Sequence, residues 1–150
     1  THLQSLLAGE TAFSMEGRVW RSGGAAGPVV GGNLCMLASL CGTPWQLNAE
    51  GCILVLEEVG EAPYRVDRLL QQLKDAGVFQ GVRGVAVGSF QGFSSPDGAH
   101  WALSDLVCEA VDVPVIGELP IGHGTENRAF VFGALGCIDG DRLVFESSPQ

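Results

Sequence analysis

The sequence predicts an α/β domain with a mainly parallel sheet, because two strand-like segments flank a clear helical pattern. Residues 52–56 are a continuous apolar run and residues 82–89 repeat a buried-strand pattern, as expected of strands covered on both faces. Between them, apolar residues recur at helical spacing at Val66, Leu69, Leu70 and Leu73. Strands that alternate with helices favour parallel pairing with right-handed crossovers.

Turn residues mark the ends of the predicted helices. Asn33 is suited to cap a short helix that Gly42 would end. Pro63 is suited to the first turn of the next helix, and Gly77 to its end. A third helix, with apolar residues between 103 and 110, is predicted to begin near the Asp97-Gly98 turn.

Short strands are predicted in the last third of the chain. Residues 113–116 follow the third helix, and residues 129–132 and 142–145 have strand-like patterns. Asp139-Gly140-Asp141 supplies a hairpin turn before the last of them. These strands favour an additional antiparallel layer.

The composition favours one folded domain and argues against two classes of partner. The 150 residues are 46% hydrophobic and 17% charged, which is typical of a globular domain with a single core. Because 17 acidic residues outnumber 8 basic ones, nucleic acid is not an expected partner. No apolar run approaches the roughly 20 residues of a membrane span, so a membrane is not an expected partner either.

The cysteines are expected to be reduced thiols, as in a cytosolic protein. Their number is odd, and their spacing does not match a metal-binding finger. Most lie in apolar segments, where cysteine behaves as a small hydrophobic residue. They are Cys35, Cys41, Cys52, Cys108 and Cys137.

A glutamate after a predicted strand and a histidine in a glycine-bounded loop are the candidate chemical groups. Glu57 follows residues 52–56, and His123 lies between Gly122 and Gly124. An imidazole can take a proton from a serine hydroxyl near neutral pH, and a carboxylate on its other ring nitrogen fixes the tautomer. The simpler interpretation is a glutamate that is solvated or paired with an arginine, a surface histidine, and glycines that only form turns.

The residues alone do not separate Glu57 from its acidic neighbours Glu58 and Glu61. Alternation at the end of a strand does place Glu57 and Glu58 on opposite faces. Neither Ser22 nor Ser89 has the Gly-x-Ser-x-Gly spacing of a nucleophile elbow. The sequence therefore offers a base and its carboxylate without the nucleophile that they would serve.

Three segments at matched spacing closely resemble the carboxyl-terminal domain of the LD-carboxypeptidases, a family that includes microcin-immunity hydrolases. They are Gly31-Gly32-Asn33-Leu34, residues 54–68, and Gly122-His123-Gly124-Thr125-Glu126-Asn127. The resemblance implies a swivelling three-layer β/β/α domain over residues 1–150, with a mainly parallel central sheet and a smaller antiparallel sheet. One departure is Val131, where many relatives carry a proline.

The resemblance also implies roles for individual residues. Glu57 and His123 would be the catalytic carboxylate and base of a Ser-Glu-His triad. The nucleophilic serine would lie in a preceding amino-terminal domain, so the chain is interpreted as an excised or truncated carboxyl-terminal domain. Candidate substrate contacts, for which a structural turn or cap is the simpler role, are Gly31, Gly32, Asn33, Gly122 and Gly124.

The whole enzyme would then hydrolyse the L,D amide bond of murein tetrapeptides and release D-alanine during cell-wall recycling in the cytoplasm. The implied partners are the amino-terminal domain, the murein peptide and a second copy in a homodimer, and neither a metal nor a cofactor is implied. The same chemistry would suit a self-immunity hydrolase that cleaves a peptide-nucleotide antibiotic. A non-catalytic interaction module is the alternative from a different class.

Overall fold

The computed structural model of the protein describes residues 2–10, 12–94 and 101–146, which form eight strands and four helices. The strands are β1 (Phe13–Glu16), β2 (Arg18–Arg21), β3 (Ala25–Asn33), β4 (Ile53–Val59), β5 (Gly84–Gln91), β6 (Val115–Gly117), β7 (Leu135–Asp139) and β8 (Arg142–Phe145). The helices are α1 (His2–Leu7), α2 (Leu34–Ser39), α3 (Pro63–Asp75) and α4 (Leu103–Ala110). None of the helices in these ranges has the length and apolar character needed to cross a membrane.

The strands form two sheets that share β3. In the central sheet, β3, β4, β5 and β6 pair in parallel in that order, and β2 adds an antiparallel edge beside β6. In the smaller sheet, β1, β8, β7 and β3 pair antiparallel. Residues 25–28 of β3 pair with β7 and residues 29–33 pair with β4, so this strand passes from one sheet into the other.

Two separate cores hold three layers together. Along β4, Leu54 and Leu56 lie in the core between the central sheet and the helices. Ile53 and Val55 lie in the core between the two sheets, together with Leu143 of β8. Successive strand residues point to opposite faces, which explains why this strand is apolar at every position from Ile53 to Leu56. The predicted arrangement of a mainly parallel sheet, a smaller antiparallel sheet and a helical layer is confirmed.

The helix ends follow the predicted signals in part. Asn33 caps α2, because its Oδ1 accepts a hydrogen bond from Met36 N at 3.0 Å, but this helix ends before Gly42. Helix α3 begins at Pro63 as predicted. The start predicted for the third helix, near Asp97-Gly98, lies outside the described residues.

Residues 129–132 are not a strand, so that prediction is wrong. These residues form a loop instead. Phe130 packs against the core between the sheets, and a turn is closed by the hydrogen bond that Ala134 N donates to Val131 O at 3.0 Å. Strand pairing starts only after this turn, at β7. The hairpin that β7 forms with β8 lies where the sequence predicted it. The strand predicted at 113–116 is shorter and is observed as β6.

The exposed thiol of Cys35 is expected to react first with iodoacetamide. All five cysteines are free thiols, and Cys52 is buried. Burial raises the pKa of three others above the ordinary thiol value, which lowers their thiolate fraction: Cys41, Cys108 and Cys137. Timed alkylation read by peptide mass spectrometry checks the order, and faster labelling of Cys52 than of Cys35 would contradict it.

Candidate active site

The carboxyl end of β4 delivers two adjacent glutamates to opposite faces of the central sheet. Glu57 continues the face that carries Ile53 and Val55, toward the smaller sheet, and Glu58 continues the face that lies against the helices. The pairing of β4 with β5 shifts register between Leu56 and Glu58. Such bulges redirect side chains near functional sites. The predicted separation of the two acids is confirmed.

The histidine loop is attached to the end of the neighbouring strand, β5. Leu119 N donates to Val87 O at 3.1 Å, and Ser89 N donates to Ile121 O at 2.8 Å. Beyond this attachment, Gly122 turns the chain with a φ of +103°, a backbone conformation that glycine adopts without strain. The loop therefore holds the residue after Gly122 above the end of β4.

Glu57 and His123 meet in a hydrogen bond, so the predicted contact is confirmed. The distance between Glu57 Oε2 and His123 Nδ1 is 2.8 Å. The glutamate side chain is 8% exposed, whereas the imidazole is 55% exposed. An ionised carboxylate only accepts hydrogen bonds, so Nδ1 is the donor in this contact, and in a neutral imidazole Nε2 is then the acceptor. The pair presents an oriented imidazole at the surface.

Gly122 is required for this contact. A Cβ atom at Gly122 would lie 2.5 Å from Glu57 Oε2 and 2.8 Å from Ser89 Oγ. At Gly124 a Cβ atom would lie 3.4 Å from Ser89 Cβ, which is close to an ordinary van der Waals contact. Gly122 therefore lets the histidine loop lie close against the carboxylate, and any contact that Gly122 or Gly124 makes with substrate stays a prediction.

Glu58 is a buried structural acceptor. It is 3% exposed and accepts hydrogen bonds from Asn33 Nδ2 at 3.0 Å, Cys35 N at 2.8 Å and Val59 N at 2.8 Å. The simpler interpretation of the acidic pair, as solvated or arginine-paired charges, is therefore wrong for both residues. The nearby Arg65 instead pairs with Glu61 at 3.5 Å.

Gly31, Gly32 and Asn33 are the last residues of β3 and pair with β4, so the turn predicted there is wrong, but the three residues have structural functions of their own. Gly31 has a φ of +122°, and a Cβ atom there would collide with the carbonyl oxygen of Val55. The side chain of Asn33 both caps α2 and donates to Glu58. By contrast, a Cβ atom at Gly32 would meet open space. These residues hold the end of β3 beside the end of β4, and their predicted substrate contacts stay a prediction.

Within the described residues, no hydroxyl group hydrogen-bonds to His123. Ser89 lacks the spacing of a nucleophile elbow, yet its side chain lies close to both Gly122 and Gly124. The signal that could have placed it there is topological, since the carboxyl ends of neighbouring parallel strands meet at one edge of a sheet. No group of three potential metal-ligating side chains forms in the part of the chain that the structure describes.

Comparisons with known proteins agree with this fold. The family profile described as LD-carboxypeptidase C-terminal domain matches residues 26–138. The murein tetrapeptide carboxypeptidase of Pseudomonas aeruginosa is 40% identical over 121 residues, which are 78% of this chain and 39% of that protein.

Two solved structures show the same architecture. The muramoyltetrapeptide carboxypeptidase from Oxalobacter formigenes superposes with a TM-score of 0.82 at 25% identity, over 98% of this chain and 54% of that one. MccF in complex with glutamyl sulfamoyl guanosine superposes with a TM-score of 0.76 at 25% identity, over 86% of this chain and 40% of that one.

These matches place the chain among peptidase domains with an α/β architecture. It belongs to the LD-carboxypeptidase family and corresponds to the carboxyl-terminal domain of its members. The chain spans about half or less of the length of the relatives described above.

Proposed function

We propose that this chain supplies Glu57 and His123 to the Ser-Glu-His triad of a serine-type LD-carboxypeptidase. The observation that carries the proposal is the 2.8 Å hydrogen bond between a buried carboxylate and an exposed imidazole. The nucleophilic serine belongs, in this proposal, to the amino-terminal domain of the same enzyme. That domain would face the open side of His123, where Nε2 is available.

The proposed reaction is an acyl transfer in two steps. His123 Nε2 takes the serine proton as the hydroxyl attacks the amide carbonyl, and Glu57 stabilises the imidazolium that forms. The imidazolium then protonates the leaving amine, which departs as the free amino acid. Water hydrolyses the acyl-enzyme with His123 again acting as the base.

The proposed substrate is the L,D amide bond of a murein tetrapeptide, with D-alanine as the released amino acid. The proposal is supported by the name of the Pseudomonas aeruginosa relative, murein tetrapeptide carboxypeptidase. Recycling of cell-wall peptides in the cytoplasm is the proposed setting. The homodimer implied by the family resemblance stays a prediction.

A self-immunity hydrolase acting on a peptide-nucleotide antibiotic is the second candidate. It is supported by the structural similarity to MccF, which was solved with glutamyl sulfamoyl guanosine and is described as the microcin C7 self-immunity protein. Both candidates use the same acyl-transfer chemistry. Parallel assays with a murein tetrapeptide and with an aminoacyl sulfamoyl nucleoside distinguish them by the ratio of kcat/KM values.

The purified 150-residue chain is expected to release no D-alanine from a murein tetrapeptide. A base and its carboxylate cannot form an acyl-enzyme without a nucleophile. The measurement is D-alanine release, followed with the chain alone and with the chain joined to an amino-terminal domain from a related enzyme. Turnover by the chain alone, unchanged by His123→Ala, would show that the activity has another source. Inactivity of the joined protein with every substrate would favour a non-catalytic interaction module.

A further inference from the structure

The hydroxyl oxygen of the half-buried Ser89 is itself buried beside the Glu57–His123 pair, without a hydrogen-bond partner among the described residues. A buried hydroxyl in that state carries a desolvation penalty, and buried polar groups in folded proteins are nearly always satisfied. Its backbone is already committed, because Ser89 N donates to Ile121 O at 2.8 Å. The hydroxyl is therefore held in place next to the histidine loop with its donor unused.

Glu57 is the acceptor that the geometry offers to this hydroxyl. Glu57 Oε2 and Ser89 Oγ lie 2.5 Å and 2.8 Å from the same point, the position of a Cβ atom on Gly122. The distance between these two oxygen atoms therefore cannot exceed the sum of those two distances. One water molecule can bridge a distance of that size, and rotation about the serine χ1 can shorten it. An ionised carboxylate accepts several hydrogen bonds, so bonding to His123 leaves capacity for a second donor.

We propose that Ser89 is a positioning residue for the pair, its hydroxyl donating a hydrogen bond to the Glu57 carboxylate. Two donors at an angle to each other fix the plane of the carboxylate, whereas one donor leaves it free to rotate. The fixed carboxylate then holds the imidazole with Nε2 toward the nucleophile. This inference deepens the proposed function, on which its catalytic meaning rests, but the hydrogen bond can be tested without any activity.

The test is a double-mutant cycle on the 150-residue chain, read as the denaturant midpoint of unfolding. Ser89→Ala is expected to lower the midpoint, and to lower it less in a Glu57→Gln background, because the charge-assisted bond is already lost there. Ser89→Cys keeps the shape but is a weak donor, so it should behave like alanine and also serves if Ser89→Ala fails to fold. Ser39→Ala, at an exposed serine bonded to Met36 O, is the matched control.

Three results would overturn the proposal. A midpoint that rises in Ser89→Ala would mean that the hydroxyl is unsatisfied, and equal effects in both Glu57 backgrounds would mean that it does not act on the carboxylate. A wild-type midpoint in Ser89→Cys would assign the residue to packing. In the joined enzyme, Ser89→Ala is expected to lower kcat by about tenfold with KM unchanged. Inactivity of the unmutated joined enzyme would contradict the proposed function. The double-mutant cycle on the 150-residue chain would still test the hydrogen bond of Ser89.

Discussion

Replacing His123 with alanine, in an enzyme that joins this chain to the proposed nucleophile domain, is expected to lower kcat/KM by about 10⁴-fold or more. The substitution removes the base, and the imidazole is half-exposed, so the fold should not depend on it. Glu57→Gln is expected to cost somewhat less, because the amide keeps the shape but loses the charge and can favour the wrong imidazole tautomer. The measurement is D-alanine release, with circular dichroism on each variant.

Glu109→Gln is the matched control for this series, since Glu109 is an exposed acid on α4. Its activity should equal that of the unmutated enzyme. Near-normal turnover by His123→Ala would contradict the proposed triad as a whole. Full activity of Glu57→Gln would contradict only the role proposed for the carboxylate.

Glu58→Gln is expected to lower the free energy of unfolding by about 2 kcal/mol. The carboxylate accepts three hydrogen bonds in a buried site, and an amide would present an N–H group to at least one of the donors. Urea unfolding of the chain measures the change, and Glu109→Gln should alter it by no more than about 0.5 kcal/mol. Equal stabilities of the Glu58→Gln and Glu109→Gln variants would show that the three bonds contribute nothing net.

The behaviour of Glu58 also determines how activity data are interpreted. A loss of activity in Glu58→Gln that disappears at lower temperature, where the variant is folded, reports on stability. A loss that persists in the folded variant at saturating substrate would transfer the catalytic role from Glu57 to Glu58. Because the two carboxylates face opposite sides of β4, no single conformation of the strand allows both to bind His123.

The candidate site could be predicted in part from the residues. Alternation along a strand separates Glu57 from Glu58, but it does not say which face meets the histidine loop, and only the family resemblance selected Glu57. The hydrogen bonds to Glu58 depend on the junction of β3 and α2 lying beside the end of β4, a tertiary arrangement that local sequence does not encode. The position of Ser89 depends in the same way on how β5 pairs with residues 119–121.

The fold shows the same division between local and distant effects. The apolar run of β4 and the helical period of α3 are local signals, and both elements were predicted. Strands β1 and β2 were missed because each is only four residues long and is stabilised by a distant partner. The first half of β3 lies in a Gly-rich segment with weak strand propensity, and its pairing with β7 overrides that preference.

The pairing of β1 with β8 joins the two ends of the chain, with Phe13 opposite Phe145. During synthesis on a ribosome, β1 cannot find its partner until residues 142–145 have emerged. Contacts between such distant residues form slowly, because the intervening chain must first be ordered. The central sheet that carries Glu57 needs no such delay for β3, β4 and β5, which are neighbours in sequence. Completion of the smaller sheet is therefore a late closing step in folding.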